Sequence, residues 1–128
     1  MNFLVTGGAG FIGSHVSERL LRDGHRVVIV DDLNTFYDPA IKRRNMARLQ
    51  ALGPVPLHQV DIVDKPALDR IFATEKFDGI VHLAARAGVR PSIEQPLLYT
   101  QTNITGTMNL LECARAADIR KLDRKIVV

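Results

Sequence analysis

The chain has 128 residues, of which 46% are hydrophobic and 24% charged. That length suits one domain with a buried core, and the composition excludes a collagen-like or strongly disordered chain. The net charge of +3 is modest, and the single cysteine, Cys113, excludes a disulfide framework and a cysteine-based zinc site.

Asn2–Thr6 is a short apolar run that ends in a glycine cluster, the pattern of a buried strand. Ile12, Val16 and Leu20 then recur at helical spacing, with Gly24 as the C-terminal stop. Arg26–Val30 is β-branched and closed by Asp31 and Asp32, a second buried strand. A polar, aromatic loop follows, and Pro39 opens a helix that Gly53-Pro54 ends near Leu52. Val55–Val60 reads as a third strand. Asp64 caps a helix bearing Leu68, Ile71 and Phe72, with Pro66 tolerated in its first turn. Gly79–Leu83 reads as a fourth strand and Gly88–Pro96 as a loop with two prolines. A long helix is expected to carry Ile104, Met108, Leu111 and Ala114 on one face, and Ile126–Val128 starts a fifth strand. Strands alternating with helices, each strand apolar without polar alternation, specify a parallel sheet covered on both faces. Right-handed crossovers make this an α/β, Rossmann-type doubly wound sheet, with expected order 3-2-1-4-5, truncated at the fifth strand.

Two stretches are basic. Lys42, Arg43, Arg44 and Arg48 lie in one; Arg115, Arg120, Lys121, Arg124 and Lys125 lie in the other. Both read as solvated helix faces, because no aromatic residues interleave to stack bases, so no nucleic-acid partner is expected. The apolar runs are too short to span a bilayer, and Met1–Val5 lacks the basic start of a signal peptide, so the cytoplasm is the expected compartment. His15, His25 and His58 form no metal-ligand spacing, and no metal site is expected. His82 sits among apolar neighbours and reads as a packed core histidine, Cys113 as a small core filler, and Arg86 and Arg90 as solvated loop residues.

The sharpest signal is Thr6-Gly7-Gly8-Ala9-Gly10-Phe11-Ile12-Gly13, in which Gly8-x-Gly10-x-x-Gly13 follows a strand and opens a helix. The turn needs a residue free to take positive φ, a missing Cβ lets backbone approach a pyrophosphate, and the helix start offers N–H groups to the phosphates. Gly13 allows close packing of helix on strand. Asp31 stands 18 residues after Gly13 at the end of the second strand, near the acid expected about 20 residues on. There it accepts hydrogen bonds from the adenosine ribose and repels a 2′-phosphate, favouring NAD over NADP.

Together with that glycine run, Asp31-Asp32-Leu33-Asn34, Val60-Asp61-Ile62, His82-Leu83-Ala84-Ala85 and Asn103-x-x-Gly106-Thr107 resemble the extended short-chain dehydrogenase/reductase family. The stretches Asp31–Asp38 and Ala84–Arg90 are most similar to nucleotide-sugar 4-epimerases of the UDP-glucuronate type. Dehydratases and decarboxylases acting on nucleotide sugars share most of these motifs. The resemblance implies that Gly7, Gly10 and Gly13 shape the pyrophosphate site, with Phe11 and Ile12 lending backbone. It implies that Asp31 binds the adenosine ribose with Asn34 nearby, and that Asp61 and Ile62 flank the adenine. Leu83, Ala84 and Ala85 would line the cofactor toward the nicotinamide, and Asn103 would tie helix and strand ends together. Asp61 reads equally as a strand-end acid, and Asn103 equally as a helix-start residue.

The family's chemistry needs a Tyr-x-x-x-Lys pair, whose lysine lowers the phenol's pKa so that tyrosinate can take a hydroxyl proton. Tyr37 is followed four residues on by Ile41, and Tyr99 by Asn103, so neither makes the pair. Residues 1–128 are therefore expected to form an incomplete NAD-binding domain, the N-terminal part of such an enzyme, with no catalytic residue of its own and no turnover alone. The expected parent reaction is C4 epimerisation of a UDP-sugar through a transient 4-keto sugar, with NAD and the UDP-sugar as partners. The alternatives are a nucleotide-sugar 4,6-dehydratase or decarboxylase, and a non-catalytic NAD-binding sensor or scaffold subunit. An exposed apolar edge is expected to favour homo-oligomers.

Overall fold

The computed structural model describes residues 1–119 and the backbone of residues 126–127. The expected strand position of Val128, and Arg120, Lys121, Arg124 and Lys125 of the second basic stretch, lie outside the described residues. The chain runs β1 (Asn2–Thr6), α1 (Phe11–Arg22), β2 (Arg26–Asp31), α2 (Pro39–Gln50), β3 (Leu57–Gln59), α3 (Lys65–Thr74) and β4 (Gly79–His82). Then come α4 (Val89–Glu94), α5 (Pro96–Thr100), a π-helical segment (Gln101–Gly106), α6 (Thr107–Ala116) and β5 (Ile126–Val127). The strands form one parallel sheet in the order β3-β2-β1-β4-β5, the expected doubly wound arrangement.

The inner strands β1, β2 and β4 are apolar along their middles because each face of the sheet meets its own helices. Leu4, Val28, Val30 and Ile80 pack with Leu68 and Ile71 of α3 and Leu110, Cys113 and Ala114 of α6. The alternate residues Val5, Val27 and Ile29 pack with Met46 and Leu49 of α2, backed by Leu20 and Leu21 of α1. Local chemistry starts and stops the helices close to where the sequence places their limits. Gly24 takes φ +83° just past α1. The Asp38 carboxylate accepts from Ala40 N and the Asp64 carboxylate from Ala67 N, capping α2 and α3. Cys113 is buried, and burial pushes its thiol up to about 11.

Four expectations need correction. The third strand shortens from Val55–Val60 to Leu57–Gln59, because Pro56 has no N–H for a ladder; its carbonyl still accepts from Ile29 N at 2.9 Å. Residues 89–94 are helical, not a loop, with Pro91 in the first turn where its missing N–H costs nothing. The long helix is divided by the π-helical segment, so Ile104 does not share one regular helix with the residues of α6. The buried stripe is Gly106, Leu110, Cys113 and Ala114, set by the close approach of Gly106 to Ile62 and by Asn109 Nδ2 donating to Ile62 O; of the expected face only Ala114 is buried, while Ile104, Met108 and Leu111 are exposed. Lastly, the basic face of α2 is not wholly solvated, since Lys42 is 6% exposed. No helix among the described residues is long and apolar enough to cross a membrane.

Candidate functional site

A cleft of about 310 Å³ opens where β1, β2 and β4 end. It lies at the point where the strand order reverses, the general ligand position in open α/β sheets. Gly7, Gly10 and Gly13 border it, and these three and Gly8 each meet a different constraint. Gly7 takes φ +68°, and a Cβ there would stand 2.8 Å from Ala84 N, so the turn after β1 lies directly against the end of β4. A Cβ on Gly13 would stand 2.1 Å from the Gly7 carbonyl oxygen, so this glycine packs the helix onto the turn itself. Contact with a strand falls instead to Gly8, whose Cβ would meet the Ile29 side chain at 2.8 Å. Gly10 is the N-cap of α1 and offers no side chain to its first turn, which holds no acid. Gly10, Phe11, Ile12 and Gly13 all border the cleft. An uncapped helix start with its positive dipole end toward a cleft is an anion site.

Asp31 closes the neighbouring wall. Its side chain is 2% exposed, and it is held from three sides. Ala9 N donates to Oδ2 at 3.1 Å, Leu33 N to Oδ1 at 2.9 Å, and Lys42 Nζ to Oδ1 at 2.8 Å. The loop beyond is a chain of Asx turns: Asn34 N donates to the Asp32 carboxylate and Phe36 N to Asn34 Oδ1. α2 is fastened to the glycine turn as well, because Asn45 Nδ2 donates to Ala9 O at 2.9 Å.

Gly7, Gly10, Phe11, Ile12, Gly13, Asp31, Asn34, Asp61, Ile62, Leu83, Ala84 and Ala85 all line this one cleft. Asn103 stands behind it. Its Oδ1 accepts from Arg86 N at 2.8 Å and its Nδ2 donates to Arg86 O at 3.0 Å, so both ends of the amide clamp the loop after β4. Asn103 is thus inside a continuous helical stretch, not at a helix start. Arg86, expected in a solvated loop, borders the cleft and donates from Nε to Thr102 Oγ1 at 3.2 Å. Sequence reasoning also missed Phe36, Tyr37 and Lys42 as cleft residues. The signal that could have found Lys42 is its spacing: it stands four and seven residues before Met46 and Leu49, on the buried face of α2, and only its charge hides it from an apolar pattern. Among the described residues, no group of three His, Cys, Asp or Glu side chains could hold a metal.

His82 proves a satisfied core histidine. Thr6 Oγ1 accepts from Leu83 N and Ala84 N, which leaves its own proton for His82 Nδ1 at 2.6 Å. His82 Nε2 must then donate to Thr107 Oγ1 at 2.9 Å, and Thr107 donates on to Asn103 O. The network fixes the neutral Nε2–H tautomer and ties β1, β4 and the π-helical segment beneath the cleft. Burial holds the imidazole below its ordinary value. With the folded value depressed, the unfolded chain takes up this proton first on acidification. Stability should therefore fall as pH drops below about 6.5, by up to about 1.4 kcal/mol per pH unit, until the folded value is passed. Urea unfolding between pH 7.5 and 5 checks this: the fall is expected to shrink in His82→Gln.

A profile of the GDP-mannose 4,6 dehydratase family matches residues 4–127. The chain belongs to this family. It stands thereby among the NAD-dependent epimerase/dehydratases of the short-chain dehydrogenase/reductase family, as its motifs imply. It is 46% identical over 120 residues to the UDP-glucuronate 4-epimerase of Thermodesulfobacterium geofontis, covering 94% of this chain and 37% of that protein. The UDP-glucose 4-epimerase of Thermus thermophilus, crystallised with NAD, superposes with a TM-score of 0.78 at 40% identity, over 92% of this chain and 35% of that one. That of Bifidobacterium longum, crystallised with NAD+ and UDP, superposes with a TM-score of 0.83 at 29% identity, over 98% of this chain and 36% of that one. The chain thus spans little more than a third of the length of these family members.

Proposed function

We propose that residues 1–128 form the NAD-binding Rossmann domain of a nucleotide-sugar epimerase whose reaction is C4 epimerisation of a UDP-sugar. The observation that carries the cofactor reading is the pairing of an uncapped helix start at Gly10 with a buried acid, Asp31, at the end of the adjacent strand. The residues present fit a dinucleotide. The glycine turn accepts a pyrophosphate without a Cβ in the way, and Asp31 retains acceptor capacity for a ribose hydroxyl. In this reading Asn34 borders the ribose, Asp61 and Ile62 flank the adenine, and Leu83, Ala84 and Ala85 line the path toward the nicotinamide. Asn103 acts through the Arg86 backbone and so fixes that path instead of touching the cofactor. Bound NAD supplies a hydride acceptor and donor for the sugar's C4.

The substrate reading rests on the UDP-sugar 4-epimerases among the relatives. The 4,6-dehydratase alternative is favoured by the family whose profile matches. A cytoplasmic setting and self-association through the exposed Val89, Ile93, Leu97 and Met108 side chains belong to the same proposal.

The experiment is calorimetric titration of the chain with NAD and NADP. The wild type is expected to prefer NAD. Asp31→Ala is expected to weaken NAD by about tenfold or more, since a hydrogen bond to a charged group contributes roughly 1.5–3 kcal/mol, and to narrow the preference. Circular dichroism establishes that the variant is folded. Equal affinity of the wild type for both cofactors overturns the ribose assignment.

A further inference from the structure

The acid that should read the ribose is not a bare carboxylate. Lys42 Nζ stands 2.8 Å from Asp31 Oδ1, with the two side chains 8% and 2% exposed. The ammonium also lies 5.6 Å from the centre of the Tyr37 ring, and both Lys42 and Tyr37 border the cleft. A carboxylate offers about four lone-pair positions, and three on Asp31 are already taken, by Ala9 N, Leu33 N and Lys42 Nζ. About one remains, on Oδ2, enough for one ribose hydroxyl and not for two. An ammonium has three protons, and among the described residues Asp31 is the sole hydrogen-bond acceptor for Lys42.

We propose that Lys42 is the specificity-determining residue at the adenosine end of the cleft, neutralising Asp31 and offering its remaining protons to the 2′ position. This rests on the cofactor reading above and refines it. Asp31 alone would reject a 2′-phosphate strongly. Paired with Lys42, it presents a site of nearly zero local charge, so rejection is moderate and comes from Asp32 and Asp61, the other acids lining the cleft. Arg86, the other cation of the lining, follows β4 and donates to Thr102, whereas Lys42 is the cation bonded to Asp31. The pair also joins α2 to the end of β2. A residue with only that structural role would lower the affinity for both cofactors in proportion when removed, whereas a charge beside the 2′ position changes their ratio.

The test is calorimetry of the full chain with NAD+ and NADP+, for the wild type, Lys42→Met and Asp31→Asn. Lys42→Met is expected to weaken NADP+ more than NAD+ and widen their ratio by about tenfold or more, the scale of one unscreened charge contact near a protein surface. Asp31→Asn keeps the shape of the side chain and leaves the Lys42 charge uncompensated. It is expected to bind NADP+ more tightly than NAD+, and it decides the matter if Lys42→Met does not fold. An unchanged ratio in folded Lys42→Met, or a retained NAD+ preference in Asp31→Asn, overturns the assignment of Lys42 while leaving the cofactor reading intact. Failure of the wild type to bind NAD+ at all overturns both.

Discussion

Gly10→Val is expected to abolish detectable NAD binding while leaving the far-ultraviolet circular dichroism of the chain unchanged. Gly10 has φ −73° and ψ 179°, an extended conformation that any residue adopts, so valine brings no backbone strain. A Cβ there would have only two close neighbours, the Gly7 carbonyl oxygen and Tyr37 Oη, both at 3.2 Å. Tyr37 is exposed and can give way by a few tenths of an ångström. The isopropyl group then occupies the space before the first turn of α1, where a phosphate would take its N–H groups. Loss of several backbone contacts to a charged ligand, each contributing roughly 1.5–3 kcal/mol, exceeds what other contacts can offset. Titration calorimetry reads the loss; wild-type affinity in the variant would mean that the turn holds no ligand.

Gly13→Ala should do the opposite: damage the fold first. Its Cβ would stand 2.1 Å from Gly7 O and 2.8 Å from both Gly7 C and Gly8 Cα, all backbone atoms of the turn. No side-chain rotation relieves that overlap, so α1 must move away from β1. Overpacking of this kind costs about 1–3 kcal/mol and more where backbone is the obstacle. Guanidinium unfolding is expected to show a midpoint lowered accordingly, with the slope unchanged. A variant as stable as the wild type would show that the helix start is looser than the close contact of Gly13 with Gly7 indicates.

The contrast between these two glycines shows what a motif does and does not contain. The spacing of Gly8, Gly10 and Gly13 announces a turn, a phosphate approach and a close packing contact. Which glycine meets which partner is set by the path of the turn. Gly8 meets Ile29 of β2 and Gly13 meets the turn, whereas the expectation was that Gly13 met the strand. The cleft lining was legible to a similar depth. Twelve of the thirteen residues singled out border the cleft, because they follow strand ends that a parallel sheet brings together on one side. Asn103 escaped that logic, since its role depends on a π-helical segment that aims its amide at the Arg86 backbone.

The sequence by itself determined the architecture of this protein. Apolar runs and Gly and Asx punctuation act locally, within about one strand or one turn, and the Gly13-to-Asp31 spacing spans one helix and one strand, so the order of elements is kept on folding even where their ends shift. Only the tertiary structure decided which polar groups meet. Lys42 lies eleven residues from Asp31 in a segment that reads as solvated, yet α2 folds back to bury its ammonium on that carboxylate. His82 finds Thr6 and Thr107 across 76 and 25 residues. The helical face bearing Ile104, Met108 and Leu111 turns outward because Gly106 lies against Ile62 and Leu110, Cys113 and Ala114 take the core side. Such pairings depend on where separate elements come to rest against one another, and a one-dimensional period carries no information about that distance.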